Sequence, residues 1–121
     1  MIDFVFECHL GEPENNSYIQ YQLGTFGRDW ILLIGGGKIH IGAIAYSNLK
    51  QQKKNTYQLE GHKEGILVEE ALNVLGPMVN NEIVVIAGVH YDQIQPRQIK
   101  TIVFHSRILL GQVKSYLSTV I

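Results

Sequence analysis

The chain has 121 residues and a formal net charge of −1, with 45% hydrophobic and 17% charged residues. That length suits one domain with its own core, predicted over residues 1–121, and the near-zero charge argues against a nucleic-acid partner. One cysteine, Cys8, excludes a disulfide framework within the chain and a cysteine-based zinc site. With neither a leader-like segment nor an apolar run near the length of a membrane span, we expect a cytoplasmic protein without a membrane partner.

The first half of the chain predicts four strands. Residues 2–10 and 17–23 alternate apolar and polar side chains around a turn-rich segment, which predicts an antiparallel hairpin. The unbroken apolar run 30–34 predicts a strand that is central in its sheet or covered on both faces. Residues 40–48 predict a fourth strand, and its glycine-rich connection to the third leads us to expect the two to be hairpin neighbours.

The second half of the chain predicts two helices with a strand between them. Residues 56–60 are expected to add a short edge strand. Helical spacing of apolar residues predicts a first helix from residue 62 to Gly76. The β-branched run 82–87 predicts a buried strand. The strongest helical pattern begins at Pro96, which suits the first turn of a helix.

This element order indicates an α+β fold: a mostly antiparallel β-sheet of five to six strands with two helices packed on one face. The regular βαβ alternation of a doubly wound parallel sheet is absent from the sequence. The sheet face away from the helices would otherwise expose apolar side chains to solvent, and a second copy of the chain in a homodimer would bury them. The apolar residues assigned to that face are Phe4, Phe6, Trp30, Ile31 and Leu32.

Three of the five histidines, His40, His62 and His90, lie close to glycines at predicted element boundaries. The first helix and the strand 82–87 should run antiparallel, which brings the start of the helix to the end of the strand. If the fourth strand is antiparallel to that strand too, it begins at the same end. We therefore expect these three histidines to converge with the glycine-rich segment 35–37.

This convergence has several interpretations. Zinc could be bound by His40, His62, His90 and Asp92, although the sequence lacks the close paired spacing of a metal motif. Asp92 is otherwise a turn or capping residue of the second helix.

An anion site would use different groups at the same end. Backbone amides of residues 35–37, the N–H groups that start the first helix, and Lys63 would together suit a phosphate. The glycines match neither the dinucleotide-binding nor the P-loop pattern. In the plainest interpretation, residues 61–64 only cap a helix and residues 35–37 only turn a hairpin.

Four motifs of the chain stand out: DWILLIGGG at 29–37, HIGAIA at 40–45, GHKE at 61–64 and AGVHYDQI at 87–94. Together they resemble one known family, the prenylated-flavin chaperones, which include a small accessory component of bacterial gallate decarboxylase. The motifs occur in the family's order, and the resemblance covers roughly residues 1–118. It implies an α+β sandwich similar to proteasome-assembly-chaperone domains and prone to dimerise.

The resemblance also implies a function. Such a protein binds prenylated FMN, or FMN, and assists its delivery to a UbiD-type decarboxylase subunit, without being an enzyme itself. The ligand surface implied by matching the motifs consists of Gly35, Gly36, Gly37, His40, Gly61, His62, Lys63 and His90. The chain departs from the family at Glu60, where a proline is expected before the Gly-His pair.

Two other hypotheses remain open at this point. One is a homodimeric protein-interaction scaffold, or an assembly chaperone without a bound cofactor, that acts through its sheet face. The other is a small histidine-dependent metal hydrolase that uses the three glycine-flanked histidines.

Overall fold

A computed structural model describes residues 1–48, 53–59 and 63–121. Six strands and two α-helices account for most of these residues. Their bounds are β1 Ile2–Leu10, β2 Ile19–Phe26, β3 Asp29–Gly37, β4 Ala43–Asn48, β5 Lys53–Gln58, α1 Gly65–Leu75, β6 Glu82–His90 and α2 Pro96–Val120. Short 3₁₀ turns lie at Pro13–Asn15 and Gly76–Met78.

The strands form one sheet in the order β1-β2-β3-β6-β4-β5. Every neighbouring pair is antiparallel except β3 with β6, which is parallel, so the prediction of a mostly antiparallel α+β fold is confirmed. The predicted pairing of the third strand with the fourth is wrong, because β6 lies between them. Strands that are apolar on both faces favour the sheet centre, and β3 and β6 both have that character.

The three glycines do not form a turn, contrary to one interpretation of the sequence. Gly35, Gly36 and Gly37 are the last residues of β3 and pair with Gly88, Val89 and His90 of β6. The chain turns after them, and β4 begins at Ala43 rather than at His40. We call the connection between β3 and β4, residues 38–42, the strap.

The core lies between the sheet and the two helices. Alternate residues of the central strands face the helices and are fully or almost fully buried, among them Tyr21, Leu23, Leu32, Ile34, Ala45, Ile83 and Val85. α1 packs on β4 and β6, whereas α2 packs on β1 and β2, so both helices lie on one face as predicted. Each large aliphatic side chain buried in this way contributes about 1.5–3 kcal/mol of transfer free energy.

The long helix begins where the sequence predicts. Pro96 occupies its first turn, and Gln95 caps it in a reciprocal arrangement with Gln98, whose side-chain oxygen accepts a hydrogen bond from the Gln95 N–H at 2.8 Å. No helix in the described part of the chain is both long and apolar enough to cross a membrane.

The other side of the sheet, which we call the open face, bears no helix among the described residues. Two cross-strand rows define its centre: Gln22, Leu33, Ile86, Ile44 and Tyr57 in one, and Gly24, Ile31, Val84, Tyr46 and Asn55 in the other. The sequence-based assignment of this face was partly wrong. Phe6, Trp30 and Leu32 have the opposite side-chain phase and pack against the core beneath the helices.

Candidate functional site

Several elements end or begin together at one end of the sheet. Gly37 and His90 are register partners at the ends of the parallel strands β3 and β6. Because β4 is antiparallel to β6, the strap lies at the same end. The rings of His40 and His90 have centroids 5.7 Å apart, so these two residues meet as strand direction predicted. Gly61 and His62 lie outside the described residues.

A polar cluster surrounds the two histidines. The Lys38 ammonium group lies 2.6 Å from one Asp92 carboxylate oxygen, and His90 Nε2 lies 3.0 Å from the other. Hydrogen bonding to Lys38 first, and to His90 second, holds the pKa of the Asp92 carboxyl group below its ordinary value. Asp92 therefore joins the strap to the end of β6 and is not the cap of α2, a role taken by Gln95.

The depressed pKa of Asp92 gives a testable pH dependence. A carboxyl group with a lower pKa in the folded state stabilises the fold above its unfolded pKa, near 3.8, and this stabilisation is lost as the pH falls through the folded pKa. We expect Asp92→Asn to lower the melting temperature at neutral pH by on the order of 1–2 °C, since both partners are exposed. Well below pH 3.8 the two proteins should melt together.

Thermal denaturation followed by circular dichroism across this pH range measures the difference. Asp3→Asn is the matched control, because Asp3 is an exposed aspartate on the edge strand β1. A constant gap between Asp92→Asn and the unchanged protein at every pH would contradict the assigned ion pair.

The glycines at the end of β3 allow close packing of backbone on backbone. A Cβ on Gly36 would lie 2.6 Å from the carbonyl oxygen of Tyr18, to which the Tyr91 hydroxyl donates a hydrogen bond. Gly37 has φ +65°, a value that favours glycine, and a Cβ there would overlap the His90 carbonyl oxygen. These glycines thus bring the strap and Tyr91 against the sheet.

The strap lies directly on the open face of the sheet. A Cβ on Gly88 would overlap the His40 carbonyl oxygen, so the strap backbone crosses β6 at this point. Two backbone hydrogen bonds anchor its ends, from Lys38 N–H to His90 O at 2.9 Å and from Gly42 N–H to Ala87 O at 2.8 Å. The strap therefore holds His40 in a fixed position above the sheet end.

The start of α1 is occupied by the protein's own hydrogen-bond acceptors. The Gly65 N–H donates to Gln58 Oε1 at 2.7 Å, and the Lys63 N–H donates to Glu64 Oε1 at 3.0 Å. Glu64 is 7% exposed, and its carboxyl group packs on Gly42. An anion at this helix start would meet that carboxyl group, so a phosphate is better accommodated further out, near the exposed Lys63 side chain.

A cleft of about 590 Å³ opens between α1, α2 and the end of β6, and we call it the helix cleft. Its walls are mainly apolar, and a few polar residues lie at one end; the lining residues are Lys63, Glu64, Ile66, Leu67, Val89, His90, Tyr91, Ile94, Ile99, Ile102 and Val103. This size and composition are typical of small-molecule sites. The sequence did not reveal the cleft, because apolar residues on a helix look alike whether they face a core or a cavity.

The described residues contain no group of three or more histidine, cysteine, aspartate or glutamate side chains placed to hold a metal ion. The metal hypothesis also depended on His62, which lies outside those residues.

The fold and the cleft define a class: an α+β sandwich with an amphipathic cleft on its helix side and an apolar sheet face on the other. Residues 13–118 match the family model of the prenylated flavin chaperone LpdD-like domain. The chain therefore belongs to the LpdD-like prenylated flavin chaperone family, which confirms the resemblance seen in its motifs.

Comparison of structures supports the fold assignment. One similar solved chain comes from a crystal structure of a chaperone complex for yeast 20S proteasome assembly. It superposes with a TM-score of 0.61 at 9% identity, over 96% of this chain and 98% of that chain. At that identity the similarity shows a shared fold. Among curated proteins, no sequence matches this chain significantly.

Proposed function

We propose that the protein binds prenylated FMN, or FMN, in the helix cleft and passes it to a UbiD-type decarboxylase. It would act as an accessory protein of the cytoplasm, and the decarboxylase would carry out the catalysis. One observation carries this proposal: a cleft of about 590 Å³ with apolar walls has Lys63 and His90 at its polar end. The family to which the chain belongs supports a flavin as the occupant.

The lining residues fit the two chemically different parts of a flavin nucleotide. The planar ring system has apolar faces that would pack against Ile66, Ile99 and Val103. The phosphate is an anion, and the Lys63 ammonium group would offset its charge. Prenylated FMN supplies the decarboxylase with its cofactor chemistry once it has been transferred.

The remaining site residues would act around this cleft. His90 lines its polar end, and His40 lies beside His90. Gly35, Gly36 and Gly37 would contribute by seating the strap that carries His40. We include Gly61 and His62 in the proposed site because they directly precede Lys63 in the chain.

Flavin titration with a matched pair of variants tests the site. Ile99 and Ile108 both lie on α2 with similar exposure, 39% and 41%, but only Ile99 lines the helix cleft. We expect Ile99→Trp to fill the cleft and weaken FMN binding at least about tenfold, which corresponds to about 1.4 kcal/mol. Ile108→Trp should bind FMN like the unchanged protein.

Flavin absorbance and fluorescence quenching measure the binding, and circular dichroism verifies that both variants are folded. Absence of saturable binding by the unchanged protein at high micromolar FMN and prenylated FMN would refute the flavin proposal. Equal loss of affinity in both variants would refute the assignment of the helix cleft.

A second candidate function is a homodimeric scaffold or assembly chaperone that works without a bound cofactor. The apolar open face favours it, because an uncovered surface of this kind is typical of a protein-interaction site. Co-purification of a UbiD-type decarboxylase with flavin-free protein would support this function. Co-purification that requires the flavin would support the first proposal instead.

A further inference from the structure

A second, smaller pocket lies on the open face of the sheet, on the opposite side from the helix cleft. It encloses about 290 Å³ between the strap and the strands β2, β3 and β6. Among the described residues, it shares no lining residue with the helix cleft. We call it the strap pocket, and the side chains that shape it are Gln20, Gln22, Leu33, Ile39, Ile41 and Ile86.

The strap pocket is pre-formed, because the strap is fixed to the sheet. Backbone hydrogen bonds hold both ends of the strap, at Lys38 and at Gly42. Between these ends, the Ile39 side chain lies over Gly35 of β3. A ligand that enters the pocket therefore does not have to order the strap, and a site that is already ordered loses less conformational entropy on binding.

Apolar side chains form most of the strap pocket. Leu33 and Ile86 are register partners on β3 and β6, so they lie side by side on its floor. Ile39 and Ile41 contribute from the strap. The described lining residues include no Lys, Arg, Asp or Glu. A charged ligand would lose its hydration here without gaining a counter-charge, so the pocket favours an uncharged molecule.

Two glutamine side chains supply the polar part of the lining. Gln20 Oε1 accepts a hydrogen bond from the Tyr18 hydroxyl group at 3.3 Å, which leaves the Gln20 amino group to donate. Gln22 Nε2 donates to Glu7 Oε2 at 3.1 Å, which leaves the Gln22 carbonyl oxygen to accept. Within the described part of the chain, neither of these remaining groups has a hydrogen-bond partner. The strap pocket thus offers a ligand one donor group and one acceptor group.

We propose that the strap pocket binds a small, uncharged molecule that carries a hydroxyl group on an apolar ring, in the simplest case a phenol. A hydroxyl group both donates and accepts, so it can donate to the Gln22 carbonyl oxygen and accept from the Gln20 amino group. The two glutamines are two residues apart on β2, about 7 Å along the strand, and face the same side of the sheet. The ring would pack on Leu33 and Ile86.

The size of the strap pocket limits its ligand. Sites for drug-sized molecules measure about 300–1,000 Å³, a range that includes the helix cleft at about 590 Å³. At about 290 Å³ the strap pocket suits a single ring better than the three fused rings of a flavin. The proposal does not rest on the flavin function, because the two pockets lie on opposite faces of the sheet.

The same two amides disfavour an aromatic carboxylate. A carboxylate only accepts hydrogen bonds, so it could pair with the Gln20 amino group but would face the Gln22 carbonyl oxygen without a bond. The Glu7 carboxylate, which accepts from Gln22 Nε2, adds a like charge beside the pocket. We therefore expect phenol to bind at least about tenfold more tightly than benzoate.

Nuclear magnetic resonance titration with phenol alone, and separately with benzoate alone, tests the proposal. Phenol should cause saturable shifts of the Leu33 and Ile86 methyl signals. Gln20→Leu keeps the apolar volume but removes the amino group, and it should weaken phenol binding about fivefold. The matched control is Gln112→Leu, an exposed glutamine of α2 that does not line the strap pocket, and it should bind phenol like the unchanged protein.

If Gln20→Leu does not fold, Gln22→Leu takes its place, because it removes the acceptor instead of the donor and should weaken phenol binding to a similar extent. Absence of saturable shifts, or shifts confined to Ile99 and Val103 of the helix cleft, would overturn the strap pocket as the site. Equal affinities for phenol and benzoate would overturn the proposed ligand class. Phenol binding that is unchanged in the glutamine variant would overturn the role of the amides.

Discussion

Gly88→Ala is expected to destabilise the protein by about 3 kcal/mol, because the new methyl group would overlap the carbonyl oxygen of His40. The obstructing atom belongs to the backbone, so a change of side-chain rotamer cannot relieve the overlap. The strap would have to move away from β6. That movement endangers its two anchoring hydrogen bonds, from Lys38 N–H to His90 O and from Gly42 N–H to Ala87 O.

Urea denaturation followed by circular dichroism measures this loss. Gly111→Ala is the control, since a Cβ at that position in the middle of α2 has nothing within 4 Å. Helix propensity predicts that the control gains about 1 kcal/mol of stability. A Gly88→Ala protein as stable as the unchanged one would show that the strap does not lie on the sheet at this point.

Tyr21→Phe is expected to cost about 2 kcal/mol, because it removes one partner of a buried hydrogen bond. Tyr21 is fully buried in β2, and its hydroxyl group bonds to that of Ser106 on α2. Burial raises the pKa of Tyr21 well above its ordinary value, so the hydroxyl stays neutral. The substitution leaves the buried Ser106 hydroxyl without this partner, at a point where the sheet meets the long helix.

A double-mutant cycle with Ser106→Ala isolates the bond. The double variant should lose less unfolding free energy than the two single variants lose together, by about 0.5–3 kcal/mol. The reason is that the double variant retains neither hydroxyl group, so no buried hydroxyl lacks its partner. Tyr57→Phe on the exposed surface serves as the control and should leave stability unchanged. Additive losses in the cycle would mean that the two hydroxyl groups do not depend on each other.

Much of the fold could be predicted because its signals are local. Side-chain alternation in residues 2–10 marks β1, and the apolar stripe after Pro96 marks α2. The position of β6 between β3 and β4 could not be predicted in the same way. An unbroken apolar run indicates a central strand, but it does not say which strands lie beside it.

The candidate site was predictable in part for a similar reason. Strand direction was enough to bring His40 and His90 to one end of the sheet. The glycines of residues 35–37 were ambiguous, because glycine suits both a turn and close packing within a strand. Lys38 was not predicted as a residue of the site, because its ion pair with Asp92 links residues that are far apart in the sequence.

The position of β6 also has a consequence during protein synthesis. β3 and β4 are made early, yet each obtains its inner neighbour only when residues 82–90 have left the ribosome. Until then the nascent chain carries two apolar strands whose inner edges are unpaired, a state prone to wrong pairing. Closure of the sheet is thus a late event, because β3 and β4 can be joined only after β6 has been made.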